Sequence, residues 1–173
     1  MNSAAPQVAS ATTPQELLAA ILDSHHPESL LTISQNPVPV VEEWLKAHPT
    51  EHHAITAADP LERLSADVRV DLAVVAEQLE FMNHHAGEEL LGRLRNLHTG
   101  MLVVLYQPGL APEKLRWHMN DFIAMGMRRE GTFLDGSREM TVYSYDLDQY
   151  NFKRTWNNPR FWANPENWGK YWW

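Results

Sequence analysis

The chain reads as an α/β protein: a mostly parallel sheet with helices on both faces, closed by an antiparallel hairpin. Three observations predict this. Strand-like and helix-like segments alternate from about residue 29 to residue 127, the order that builds parallel sheets through right-handed crossovers. Met101–Tyr106 is an unbroken apolar run of the kind buried on both faces of such a sheet. Asp135-Gly136 stands between two strand-like stretches, 128–134 and 139–145, and favours a hairpin turn.

Residues 1–12 are small and polar and are expected to form a disordered leader ahead of a single α/β domain over 13–149. Thr13-Pro14-Gln15-Glu16 starts the first helix, with a threonine cap, proline in the first turn and a glutamate placed to close a capping box. Ser29–Ser34 predicts a short buried strand, and Val40, Val41, Trp44 and Leu45 the helix after it. A second strand is expected over His53–Ala57, ending at Asp59-Pro60, with a short helical piece at Leu61 and Leu64 and a stronger strand over Asp71–Ala76. Leu90, Leu91, Leu94 and Leu97 fall at helical spacing, Glu89 can pair with Arg93 one turn on, and Gly100 is expected to end that helix. A further helix from Pro112 should turn Leu115, Met119, Phe122 and Ile123 inward, with Gly126 at its C-cap.

Composition bounds the chemistry. With 173 residues the chain is large enough for one well-buried core. It has no cysteine, which excludes disulfides, thiolate metal sites and cysteine nucleophiles, and suits the cytoplasm. The first basic residue is Lys46, and no apolar run is long enough for a membrane span, so neither a secretory signal nor a membrane partner is expected. The net charge of −8 is uneven: side chains of residues 150–173 sum to +3, leaving −11 for residues 1–149. Such a body repels phosphate backbones, which argues against duplex nucleic acid.

Three His-His pairs, at 25–26, 52–53 and 84–85, invite a metal reading. The predicted topology puts the first two at the amino end of the sheet and the third at the opposite end, and none has the helical spacing of a paired-histidine site, so no metal is expected. Gly136-Ser137 lies in a hairpin rather than a nucleophile elbow, and no phosphate-cradling glycine loop with lysine is present.

Residues 150–173 form a segment of their own. They hold nine of the seventeen aromatics and five of the seven tryptophans, and Asn-Pro-x-x-Trp occurs twice, at 158–162 and 164–168. So much apolar area must dock, over the chain's own domain or against a partner. Trp162, Trp168, Tyr171, Trp172 and Trp173 are the candidate anchors for a protein partner or for self-association.

The order of elements over about 28–146, with its terminal reversed hairpin, resembles the Rossmann-like class I S-adenosylmethionine-dependent methyltransferases. Asp71–Glu80 resembles that family's fourth strand and loop, Gly100–Leu105 its fifth strand, and Phe122–Met127 the helix end before the hairpin. The resemblance implies that Ser34, Gln35 and Asn36 meet the amino-acid end of the cofactor and that Asp59 holds its ribose; a plain strand-ending aspartate is the other reading of Asp59. Glu77, in the acceptor loop, is the one candidate catalytic base, against the reading of a solvated strand-end glutamate. The family's glycine-rich turn is replaced here by Ser34-Gln35-Asn36-Pro37-Val38-Pro39, which has no glycine and lacks two amide donors. The family's third strand is short or missing between Leu61 and Asp67. These departures predict a degenerate site that holds no cofactor and a regulatory module acting through its aromatic tail; a working site would take S-adenosylmethionine.

Overall fold

The computed structural model describes residues 11–150, so the predicted leader up to residue 10, the tail from 151 and its five candidate anchors lie outside the described residues. Six strands form one sheet: β1 (Ser29–Ser34), β2 (Glu51–Ile55), β3 (Val70–Ala76), β4 (Thr99–Tyr106), β5 (Arg128–Asp135) and β6 (Arg138–Asp146), in the order β2-β1-β3-β4-β6-β5. The first four are mutually parallel, and β6 runs antiparallel between β4 and β5. Among the described residues no strand pairs with the outer edge of β2, where the expected third strand would lie.

Successive side chains of the central strands go to opposite cores, as period-two geometry requires. Ala73, Val75, Leu102, Val104 and Tyr106 join one core with Leu90 and Leu91 of α4 (His84–Arg93) and Phe122 of α5 (Met119–Ala124). Leu72, Val74, Met101, Val103 and Leu105 join the other with Leu17, Leu18, Ile21 and Leu22 of α1 (Pro14–His25) and Val41 and Trp44 of α2 (Pro39–Ala47). A short α3 (Pro60–Arg63) links β2 to β3, and α6 (Leu147–Tyr150) follows the hairpin.

Several expectations need correction. Thr13 Oγ1 caps α1 by accepting from Glu16 N at 3.1 Å, but the Glu16 carboxylate accepts from Thr12 N and Oγ1, one residue before the position a capping box uses. α4 passes into a π-turn at Leu94–His98, which shifts the helical phase and leaves Leu97 half exposed; the helix ends there, and Gly100 lies inside β4. The stretch from Pro112 is a single 3-10 turn, Glu113–Leu115, then extended chain, and only then α5. Consequently Met119 and Ile123 face outward, Leu115 is partly buried, and Trp117 and Phe122 fill the interior. The hairpin closes through Gly136-Ser137, one residue later than predicted, with Asp135 opposite Arg138 and Gly136 at φ +61, a type II′ arrangement that glycine adopts without strain. β2 spans Glu51–Ile55, two residues earlier than the expected His53–Ala57, so His52 lies within the strand with His53.

One close approach fixes a small residue. A Cβ on Gly87 would stand 2.7 Å from Trp117 Cζ2, and Trp117 is wedged between His84 and Phe122 at ring separations of 4.6 and 5.0 Å. Gly87→Ala gains about 1 kcal/mol of helix propensity and meets an overpacking penalty of about 1–3 kcal/mol. A net loss of stability is expected in urea unfolding; a gain would show that the ring can give way.

Candidate functional site

The carboxyl ends of β1, β3 and β4 meet at a cleft between the start of α1 and the β5–β6 hairpin. Glu77 and Gln107, the residues following β3 and β4, line three cavities there. Two are roomy. One of about 480 Å³ lies against Thr13, Gln15, Phe133 and Arg138, and one of about 570 Å³ against Phe81, Leu110 and Glu139. The third, directly over the turn after β1 and lined by Ser34, Pro37, Val38 and Pro39, holds only about 110 Å³.

That turn folds as its residues dictate. Pro39 opens α2, and its N-cap Val38 makes no side-chain cap bond. Gln35 reaches sideways: its Nε2 donates to Ala57 O beyond β2 at 3.0 Å and to Gln78 Oε1 beyond β3 at 2.9 Å, so the side chain ties three strand ends together. Gln78 is fully buried, and its own Nε2 has no partner among the described residues. Asn36 Nδ2 donates to Glu77 Oε2, holding a glutamate whose φ of +45 puts it in the left-handed region that non-glycine residues seldom occupy.

The predicted site residues therefore divide. Ser34, Asn36 and Glu77 come together at the cleft, while Gln35 lines none of the three cavities and instead bridges Ala57 and Gln78. Asp59 does not join them: it is exposed, its Oδ1 accepts from Leu61 N at 3.2 Å as the cap of α3, and it lines none of the three cavities.

Glu80 was not singled out from the sequence. Its carboxyl is almost wholly enclosed, accepts from Gln107 N at 2.8 Å, and is pushed above the usual carboxylate range, first by burial. Tyr106 beside it is also raised, chiefly by burial, and its hydroxyl accepts from Trp117 N at 2.7 Å. The signal for Glu80 was faint, because a carboxylate in a strand-end loop reads as solvated.

Four of the histidines are engaged in local contacts. His26 and His48 contact the Trp44 ring, His48 stacking at 3.6 Å. His52 Nε2 lies 3.0 Å from Thr32 Oγ1, with its pKa lowered, chiefly by burial and then by His53. His84 stacks on Trp117. Among the described residues no three acidic or imidazole side chains converge at metal-holding geometry, and no helix is long and apolar enough to cross a membrane.

A parallel sheet with a reversed terminal hairpin and a cleft at its carboxyl ends defines a class I methyltransferase-like fold. Within it, the chain belongs to a family of unknown function (DUF6231), whose model matches residues 12–173. No curated protein matches it. Solved structures share the fold. The methyltransferase domain of bacterial CtHen1-C is 13% identical with a TM-score of 0.52, over 76% of this chain and 96% of that one. Magnesium protoporphyrin IX methyltransferase from Synechocystis PCC 6803 with bound S-adenosylmethionine is 10% identical with a TM-score of 0.54, over 75% and 76%. The plantazolicin methyltransferase BpumL in complex with S-adenosylhomocysteine is 10% identical with a TM-score of 0.52, over 76% and 81%.

Proposed function

We propose that this protein is a non-catalytic, methyltransferase-like regulatory module of the cytoplasm that binds a protein partner, or a second copy of itself, through residues 150–173. The Gln35 tie carries the first half of this reading. A cofactor reaching from the Ser34–Asn36 turn to Asp59 would cross the line from Ala57 to Gln78 that the Gln35 side chain occupies. It would have to break both bonds and leave the enclosed Gln78 amide without partners, a penalty of about 1–3 kcal/mol for the orphaned group alone. The cavity over the turn, about 110 Å³, is also below the roughly 300–1,000 Å³ of ordinary ligand pockets. Pro37 and Pro39 offer no amide to an anionic group. The second half rests on composition: five tryptophans with four basic side chains within twenty-four residues make a recognition segment.

One observation favours a second reading, an active methyltransferase of unknown acceptor. Glu77 borders three cavities of the cleft, where an acceptor's proton would be taken. Gln35 would then have to swing out of the cofactor's path and Asp59 give up the Leu61 amide to take the ribose, with the tail closing over the pocket.

Calorimetric titration of the full chain with S-adenosylmethionine and S-adenosylhomocysteine separates the two. No heat of binding at micromolar concentrations is expected. Micromolar affinity would overturn the non-catalytic reading and make Gln35→Ala the next variant, with tighter binding as its expected result.

A further inference from the structure

We infer that the Trp-rich segment 151–173 seats in cis on the carboxyl-end cleft of its own domain, so that a partner must compete it away. This deepens the reading above and rests on it in taking the cleft to be free of a nucleoside cofactor.

The cleft has the surface such a segment needs. Phe81 and Leu134, at 53% and 75% exposure, and Leu110, at 44%, are large apolar side chains left facing solvent along its two roomy cavities. An apolar rim of this kind marks a docking site. Its acidic side chains Glu77, Asp135 and Glu139 outnumber the one base, Arg138. The segment is complementary in both respects: Lys153, Arg154, Arg160 and Lys170 face Glu166 as the sole acidic side chain, and eight aromatics accompany them.

Chain length permits the path. Asp146 pairs with Met101 near the amino end of β4, so α6 leaves the sheet at the end opposite the cleft. β4 is eight residues long, a rise of roughly 26 Å. The twenty-three residues after Tyr150 can span on the order of 75 Å when extended, enough to cross the sheet and lie in the cleft. The remaining exposed large apolar side chains, Leu97, Met119, Ile123 and Leu147, line none of the three cavities.

A chain without cysteine makes the test direct. A nitroxide is placed in turn on Ser137→Cys at the cleft rim, on Ala124→Cys on α5 and on Glu28→Cys at the amino end, and the seven indole N–H signals of the full chain are read by NMR. The amino-end label should broaden Trp44, which is tied to Pro27 through Thr50, and the α5 label should broaden Trp117, which confirms each folded sample. The expected result is that tail indoles lose most of their intensity only with the Ser137 label, and recover in Phe81→Ser/Leu110→Ser/Leu134→Ser, whose sites are exposed and whose Trp44 and Trp117 signals should stay in place. Spin-labelled chains mixed with isotope-enriched unlabelled chains should show no broadening. Tail broadening from another label, none from Ser137, persistence in the triple variant, or broadening across the mixture, which would mean a second copy occupies the cleft, each overturns the inference. None of these outcomes depends on cofactor, so the titration above can fail or succeed separately.

Discussion

Phe122→Ala is expected to be the most damaging single truncation in the domain. Phe122 is wholly buried and stands at the centre of an aromatic cluster: stacked on Tyr143 at 3.9 Å, tilted against Trp117 at 5.0 Å and edge-on to Tyr106 at 5.3 Å. Removing the ring takes away its transfer free energy and leaves a void whose walls belong to β4, β6 and the chain before α5. The two strand walls cannot collapse inward without breaking sheet pairing. The expected loss is about 3–5 kcal/mol, which for a domain of this size lowers Tm by roughly 10 °C or more. Chemical denaturation checks the value; a loss below about 1.5 kcal/mol would mean the cluster repacks as a volume-conserving core does.

The second large effect is a change in pH dependence. Burial raises the Glu80 carboxyl, so the folded state holds its proton to higher pH than the unfolded chain does. Its contribution to stability is therefore greatest in acid and falls as pH rises from the unfolded value, near 4.3, through the folded one. Above that window the enclosed carboxylate is a constant burden, offset only in part by the backbone amides of Gln107, Glu80 and Gln78. Glu80→Gln keeps the size and an acceptor oxygen for that amide but cannot ionise. The variant is expected to be more stable than the parent at pH 7, with the difference shrinking as pH approaches 4. Unfolding curves at a series of pH values test this, and an advantage that stays constant with pH would refute the burial argument.

What the sequence made legible follows from range. Strands β1, β3 and β4 were readable because each is a largely apolar run whose burial leaves a local mark, and β5 and β6 because they flank the Asp135-Gly136 turn signal. The turn after β1 was readable too, since prolines act on their own backbone. The misplaced helix after Pro112 shows the opposite case. Leu115, Met119 and Ile123 fit a 3.6 period, but the extended backbone at Arg116–His118 resets the phase, and Trp117 goes inward instead. The Gln35 tie was out of reach for the same reason. Its partners lie 22 and 43 residues away, and nothing in a lone glutamine announces that it will span two loops.

The outer edge of β2, unpaired among the described residues, has a consequence for how this sheet avoids its neighbours. An edge strand offers a row of free amides and carbonyls to any extended chain, including another copy of itself. β2 is only five residues long, and it carries Glu51 and His53 paired at 3.0 Å beside His52. A brief ladder lined with ionisable groups gains little from added pairing and loses solvation when covered, so this border is guarded by its own polarity. Growth of the sheet in that direction would first have to neutralise those groups.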